Sequence, residues 1–192
     1  MELVFATSNP NKLKEVKAIF GDLIQILSLE DINYLEEIEE TGATIEENSY
    51  LKAKTIFDFC GKAVLAEDTG LEVLALNGAP GVYSARYAGK DANAEKNMQL
   101  LLQNMQAIED RRAQFKTVAT FIDVNTSISF EGIILGEITK EKKGKDGFGY
   151  DPIFKPAGFP RVFAEMTLQE KSIISHRAIA MQKFVKYMKA SL

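Results

Sequence analysis

The sequence has 192 residues with one cysteine, one histidine and no tryptophan, and it lacks any long apolar run. Cys60 alone cannot form an internal disulfide or a cysteine-based metal site. The longest stretch without a charged residue, 73–85, is too short to span a bilayer and contains glycine and proline. Met1 and Glu2 lead directly into apolar residues, without the basic segment of an export signal. We therefore expect a soluble, cytoplasmic protein that does not bind membranes.

Basic residues are fewer than acidic ones, 23 against 27, which gives a formal net charge of −4. A general nucleic-acid binder carries the opposite excess, so we expect no nucleic-acid partner. No linker, repeat or low-complexity tract divides residues 1–192. Because a domain typically has roughly 100–200 residues, the sequence predicts one domain with room for two lobes.

Strand and helix patterns alternate at both ends of the chain around a strand-rich middle, which predicts an α/β fold with a mixed sheet. Strands are expected over residues 3–6, 25–29, 63–66, 115–124 and 127–139, the last two antiparallel. The third strand should end at Glu67. Helices are expected before Gly21, from a capping box at 44–47 to Gly61, and over 71–76, 92–108 and 176–189.

The first candidate binding segment is the polar turn over residues 7–12. A helix that begins after such a turn presents free backbone N–H groups and the positive end of its dipole to a phosphate, and Lys12 adds a positive charge. The turn also fits an ordinary strand-to-helix connection with Ser8 or Asn9 as N-cap. It matches neither G-x-x-x-x-G-K-[ST] nor G-x-G-x-x-G, the two glycine-rich phosphate motifs.

The second candidate group is the carboxylate pair Glu67 and Asp68. Ligands bind at the carboxyl ends of strands in α/β folds, and paired carboxylates there suit Mg²⁺. A solvated turn at a strand end is an equally good interpretation of the same residues.

Glu40 and Lys52 are further candidates. Glu40 lies beside the Thr41-Gly42 turn and is best placed to reach a shared site, whereas the rest of its acidic run is expected to be solvated: Glu36, Glu37 and Glu39. On the helix after Thr44, a rotation of 100° per residue puts Asn48 and Lys52 at the border of the apolar arc. Lys52 there either extends along the surface to water or points a fixed cation into a cleft.

Two aromatic residues, Phe148 and Tyr150, lie in a glycine-rich loop, and His176 precedes Arg177. Exposed rings among glycines suit stacking on a planar base, although both rings fit equally well as core anchors. A lone histidine is more often a capping or core residue than a catalyst.

The order of these motifs resembles that of the inosine triphosphate pyrophosphatases, also called dITP/XTP pyrophosphatases. The matching segments span nearly the whole chain: 7–12, 40–42, 47–48, 51–54, 66–71, 80–89, 147–152 and 171–177. The resemblance implies Mg²⁺-dependent hydrolysis of ITP, dITP and XTP to the monophosphate and pyrophosphate by a homodimer. It also implies a mixed sheet flanked by helices, with two lobes that enclose a central cleft. The family's usual Asp-Asp-Ser-Gly is Glu67-Asp68-Thr69-Gly70 here, which keeps a carboxylate and a hydroxyl at the changed positions.

The resemblance further implies a role for each matched residue. Asp68 would be the general base and a metal ligand, Glu40 a second metal ligand, and Lys52 would neutralise charge near the scissile phosphate. The triphosphate would be held by Thr7, Ser8, Asn9, Pro10, Asn11 and Lys12. Other substrate contacts would come from Thr69, Phe148, Gly149, Tyr150, Asp151, Lys171, His176 and Arg177.

Two other functions fit parts of the sequence. One is a Maf-like pyrophosphatase for other modified nucleotides, which the His176-Arg177 pair disfavours. The other is a nucleotide sensor without turnover, which Asp68 and Lys52 disfavour. As hydrogen-bond donors, His176 and Arg177 would satisfy the 6-oxygen of inosine and xanthosine and reject the 6-amino group of adenine. Guanine shares that oxygen, so this hypothesis does not explain how GTP would be excluded.

Overall fold

The computed structural model of the protein describes residues 2–190. The expectation about export rests partly on Met1, which lies outside the described residues. The last two residues of the predicted domain 1–192 also lie outside them. The helices are α1 (Pro10–Phe20), α2 (Ile45–Cys60), α3 (Ala94–Asn104), α4 (Leu168–Ile174) and α5 (His176–Ala190). The strands are β1 (Glu2–Ala6), β2 (Gln25–Leu27), β3 (Val64–Val73), β4 (Pro80–Gly81), β5 (Arg112–Ile122), β6 (Ser127–Ile138) and β7 (Phe154–Pro156).

The described chain forms two compact units. The first contains residues 2–68, 117–132 and 177–190, and the second contains residues 69–116 and 133–176. Strands β3, β5 and β6 therefore contribute residues to both units.

In the first unit the strand order is β2-β1-β3-β5-β6. β1 runs parallel to β2, with Leu3 opposite Ile26, and parallel to β3, with Phe5 opposite Leu65. β5 and β6 are neighbours joined by only four residues, 123–126, a connection that requires them to run antiparallel as predicted.

Alternation along β1 builds the two cores of the first unit, because successive side chains point to opposite faces of a strand. Leu3 and Phe5 pack on one face with residues of α1 and α5, such as Phe20 and Phe184. Val4 packs on the other face against α2. Since both faces are covered, β1 is the continuous apolar run that is typical of a buried parallel strand.

The second unit is organised around antiparallel pairs. β4 pairs with β3, with Leu71 opposite Gly81, and β7 pairs with β6, with Gly136 opposite Pro156. A side chain at Gly136 would meet the ring of Phe154 at 2.6 Å, so glycine is needed for this close approach. The core of this unit combines strand residues with α3 and contains Leu71, Val73, Leu101, Phe115 and Phe154 among others. The first unit contains parallel pairs, and both units contain antiparallel pairs. The predicted mixed α/β sheet flanked by helices is therefore confirmed.

The prediction that the third strand ends at Glu67 is wrong. β3 continues through the acidic pair to Val73, and only a single 3-10 turn over Leu74–Leu76 remains of the short helix expected over 71–76. The physical reason is that Leu71 and Val73 enter the core of the second unit while Glu72 is partly exposed, which is the alternation of a strand. Acidic residues that look like a turn in the sequence lie within a strand.

Smaller differences concern element ends. β2 and α3 are shorter than expected, and α4 is absent from the sequence prediction. α2 begins after Thr44, whose Oγ1 accepts a hydrogen bond from the Glu47 amide at 3.1 Å. The Glu47 carboxylate accepts instead from the Ala43 amide at 2.6 Å, so the reciprocal half of the predicted capping box is shifted by one residue. Within residues 2–190, no helix is both long and apolar enough to cross a membrane.

Candidate active site

The register of the first unit places the polar turn and the acidic pair together. β1 ends at Ala6, opposite Ala66 of β3, and the turn over residues 7–12 follows at that edge. β3 continues beyond Ala66 with Glu67 and Asp68. Both groups therefore lie at the carboxyl edge of the parallel strands, where α/β sheets bind ligands.

Lys52 is the centre of a buried ion cluster. Its side chain is 8% exposed, and its Nζ lies 2.6 Å from Glu40 Oε1 and 2.9 Å from Asp68 Oδ1. Of the two interpretations for a lysine at the border of the apolar arc, the structure supports the fixed cation and excludes a side chain that extends to water. Glu40 is half-buried, whereas Glu36, Glu37 and Glu39 are exposed as expected.

The cluster shifts the pKa values of its members. Burial raises the pKa of Asp68 above its ordinary value even though Lys52 acts in the opposite direction. Burial alone would lower the pKa of Lys52, but the charges of Asp68 and Glu40 raise it. Lys52 is therefore held as a cation, while Asp68 is a stronger proton acceptor than an exposed aspartate.

Glu67 belongs to a second buried network, which centres on Arg177. The Arg177 guanidinium donates from Nε to Glu67 Oε2 at 2.8 Å and from Nη2 to Oε1 at 2.8 Å, and it also donates to the Glu15 carboxylate. Lys12 Nζ lies 3.3 Å from Glu67 Oε1. Arg177 is 1% exposed. Its Nε, Nη1 and Nη2 atoms all donate to carboxylates, and the direct contact with a base that the sequence suggests stays a prediction.

The first turn of α1 differs from the phosphate site that the sequence predicts. Asn9 is the N-cap, and its Oδ1 accepts hydrogen bonds from the amides of Asn11 at 2.9 Å and Lys12 at 3.3 Å. Pro10 has no N–H group, and Thr7 Oγ1 accepts a hydrogen bond from the Asn9 amide at 3.1 Å. The expectation that free backbone N–H groups face a phosphate here is wrong for Asn9, Asn11 and Lys12.

The remaining predicted contact residues lie in the second unit, where Lys171 and Asp151 form a buried pair. Lys171 Nζ lies 2.7 Å from Asp151 Oδ2 and 5.2 Å from the centre of the half-buried Phe148 ring. The same Asp151 oxygen accepts from the Phe148 amide at 2.8 Å. Tyr150 is a core anchor, because its ring joins the apolar core and its hydroxyl donates to the Ser84 carbonyl oxygen at 2.8 Å.

His176 is also buried in the second unit, where its ring stacks on Phe115 with ring centres 4.5 Å apart. Thr69 and Gly149 are half-buried. The structure therefore brings Lys171, Asp151 and Phe148 together, and separately packs Tyr150 and His176 on core residues of the same unit.

Comparison with known proteins identifies the family. The model of the Ham1 family matches residues 3–187. A relative from Christiangramia forsetii named dITP/XTP pyrophosphatase is 53% identical over 98% of this chain and 99% of its own. A relative of the same name from Flavobacterium johnsoniae is 50% identical over 100% of both chains. The chain belongs to the Ham1 family.

Solved structures agree with this assignment. The Ham1 proteins of Staphylococcus aureus and Coxiella burnetii have TM-scores of 0.90 and 0.89 against this Ham1-family chain, each at 38% identity. The matches cover 100% and 99% of both chains. The architecture described above is thus the Ham1 fold.

The donor set of the Ham1-family chain fits a divalent cation. Glu40 and Asp68 each place an oxygen against the same nitrogen, so the pair already surrounds one positive charge. Mg²⁺ prefers oxygen ligands and is commonly held by one or two carboxylates together with substrate phosphates. The part of the chain that the structure describes contains no group of three or more His, Cys, Asp or Glu side chains arranged for a metal.

Sequence reasoning missed the roles of Glu15 and Asn48. Glu15 is 6% exposed on α1 and pairs with Arg177, which is distant in sequence. The one local signal for Glu15 is its position next to Val16, another buried residue of the helix. Asn48 is fully buried, and its Oδ1 accepts from the Gly42 amide at 2.7 Å. Two signals in the sequence indicate Asn48: its position at the border of the apolar arc and its place in the matched segment 47–48.

We predict that the stability of the protein in acid depends on the ion pairs of Glu67. Burial alone would raise the pKa of Glu67, but Arg177 and Lys12 lower it from 4.5 to about 2. Ionised Glu67 therefore stabilises the fold fully above pH ~4.5, and this contribution, about 3 kcal/mol, is lost as the pH falls toward 2. Urea unfolding between pH 7 and pH 2.5 measures it. Glu67→Gln should lower the free energy of unfolding at pH 7, and this free energy should fall less than that of the wild type as the pH is lowered to 2.5. An equally large fall in the variant would contradict the assignment.

Proposed function

We propose that this protein is a Mg²⁺-dependent nucleoside triphosphate pyrophosphohydrolase. It converts ITP, dITP and XTP to the monophosphate and pyrophosphate, and so removes deaminated purine nucleotides from the precursor pool. The observation that carries the proposal is the buried cation of Lys52 between Glu40 and Asp68. The two relatives at 53% and 50% identity, both named dITP/XTP pyrophosphatase, support the substrate class.

The reaction requires charge neutralisation, positioning and a proton acceptor. Mg²⁺ held by Glu40 and Asp68 would neutralise phosphate charge and help to orient the substrate. Asp68 accepts the proton of the attacking water, a contribution of typically about 10²–10⁴-fold for general base catalysis. Burial raises the pKa of Asp68, which strengthens it as the base.

Lys52 and Lys12 supply the fixed positive charges. Lys52 now donates to two carboxylates, so it meets a phosphate oxygen by giving up or sharing one of these bonds. Lys12 lies against Glu67, and burial lowers its pKa while Glu67 acts against that shift. Because Asn9 occupies two backbone N–H groups of the first turn, the Lys12 ammonium is the main phosphate-binding group of this segment in our proposal.

The other substrate contacts are assigned by position in the matched motifs. Thr7, Ser8 and Asn11 would complete the triphosphate site around Lys12. In the second unit, further substrate contacts would come from Thr69, Phe148, Gly149, Asp151, Lys171 and His176. Arg177 would act through Glu67, because its donors are directed at carboxylates. We also propose that the protein acts as a homodimer in the cytoplasm, where nucleotide precursors are used, and light scattering of the purified protein tests the dimer.

A substrate panel tests the proposed activity. Purified protein is incubated with ITP, XTP, dITP, ATP and GTP, with and without Mg²⁺, and the products are separated by anion exchange. We expect one pyrophosphate for each inosine or xanthosine monophosphate, only with Mg²⁺. Release of a nucleoside diphosphate and phosphate would contradict the reaction, and binding without turnover would make the protein a sensor. Selective hydrolysis of other modified nucleotides would favour the Maf-like alternative.

We predict that Lys12→Ala and Lys52→Ala weaken hydrolysis with different kinetic signatures. Lys12→Ala should raise KM about tenfold, the effect of losing one hydrogen bond to a charged group. Lys52→Ala should lower kcat by about 10²-fold, because its charge stabilises the transition state. Steady-state kinetics on ITP measure both, with Lys54→Ala as control, since Lys54 is exposed on the same helix. Equal effects of the two substitutions on KM alone would remove the transition-state role of Lys52.

A further inference from the structure

Asn48 is fully buried on α2, one turn before Lys52. Its Oδ1 accepts the Gly42 amide hydrogen at 2.7 Å, and this bond fixes the orientation of the side-chain amide, because an N–H donor must face oxygen. Its Nδ2 has no hydrogen-bond partner among residues 2–190. The oxygen is therefore the atom through which Asn48 acts in this structure.

The segment 40–42 is attached to α2 at both of its ends. Lys52 Nζ contacts the Glu40 carboxylate at 2.6 Å, and Asn48 contacts the Gly42 backbone. Residues four apart lie on the same face of a helix, so the two contacts are neighbours. Residues 33–44 belong to neither a helix nor a strand, so no hydrogen-bond ladder of regular structure fixes the backbone of Glu40.

The turn approaches α2 closely, and α2 is itself anchored. A side chain at Gly42 would meet Asn48 Oδ1 at 2.6 Å, so glycine permits this approach. Next to Asn48, the Ser49 hydroxyl donates to Thr120 Oγ1 of β5 at 2.9 Å. Asn48 thus links a turn without regular structure to a helix that is fixed on the sheet of the first unit.

We propose that Asn48 is a positioning residue for Glu40. By accepting the Gly42 amide hydrogen, it holds the turn in place. The carboxylates of Glu40 and Asp68 then face the same position, which the Lys52 ammonium contacts in this structure. The proposal rests on the proposed function for the role of this carboxylate pair as a divalent-cation site, and it adds a residue on which that site depends.

The test measures binding of Mn²⁺ alone, without nucleotide, by electron paramagnetic resonance of the free ion. Loss of a residue that orients a metal ligand typically costs about 10–100-fold in affinity, and we expect a loss of that size for Asn48→Leu. Asn48→Asp keeps an oxygen acceptor for the Gly42 amide and should restore most of the affinity. Hydrogen exchange of the Gly42 amide should be faster in Asn48→Leu and near that of the wild type in Asn48→Asp.

Glu47→Ala is the matched control, because it releases the Ala43 amide of the same turn and leaves the Gly42 bond intact. It should bind Mn²⁺ like the wild type even if its melting temperature falls. If Asn48→Leu does not fold, Asn48→Ala replaces it with the same expectation.

The proposal is overturned if the wild type does not bind Mn²⁺, if Asn48→Leu binds it as tightly as the wild type, or if Asn48→Asp is as weak as Asn48→Leu. A wild type that binds Mn²⁺ but hydrolyses no nucleoside triphosphate would refute the proposed function and leave the role of Asn48 standing. The two failures are therefore distinguishable.

Discussion

Asp68→Asn is expected to abolish turnover while the protein stays folded. The amide oxygen can still accept from Lys52, which now donates to Asp68 Oδ1 at 2.9 Å, so the buried cluster keeps its hydrogen bond. An amide cannot take a proton from water and is a poorer cation ligand than a carboxylate. Loss of both functions should lower kcat for ITP by about 10³-fold or more, or roughly 4 kcal/mol of barrier.

Product chromatography over long incubations measures this residual rate. Glu36→Gln removes an exposed carboxylate from the acidic run that Glu40 ends, and it should leave kcat unchanged. Thermal unfolding of both variants checks that each is folded. Activity of Asp68→Asn above about a tenth of the wild type, which corresponds to a loss of only 1.4 kcal/mol, would contradict the role of Asp68.

Features that depend on neighbours in the sequence were predictable. The N-cap at Asn9, the start of α2 after Thr44 and the buried strand β1 follow from side chains within a few residues of each position. The end of the third strand was not predictable in this way, because Glu67 and Asp68 look like a turn until their charges are compensated. Their cationic partners, Arg177 and Lys52, come from two helices.

The candidate site shows the same limit. Helix periodicity placed Lys52 at the border of an apolar arc, but its burial depends on Asp68 of a strand and Glu40 of a turn. Arg177 is 110 residues from Glu67 and 162 residues from Glu15, and no local pattern indicates contacts over such separations. The motif order could indicate which residues matter, but not that Arg177 faces carboxylates.

Arg177→Met should therefore destabilise the protein strongly, whatever its effect on substrate choice. Arg177 and Glu67 are each 1% exposed, and Glu15 is 6% exposed. Removing the guanidinium takes away the cation that both buried carboxylates contact. Breaking a buried ion pair on one side typically costs about 3–5 kcal/mol. For a protein of this size, that corresponds to a fall of roughly 10 °C in melting temperature.

The double substitution Arg177→Met/Glu15→Gln separates this cause from a general loss of packing. If uncompensated charge is responsible, removing the Glu15 carboxylate should recover part of the lost stability, and the two changes will not be additive. Kinetics then decide between the two roles of Arg177. If it acts through Glu67, ITP and ATP hydrolysis fall by the same factor in Arg177→Met. A stable Arg177→Met protein that loses ITP hydrolysis far more than ATP hydrolysis would instead show that the guanidinium reads the 6-oxygen of the base, as the sequence alone suggests.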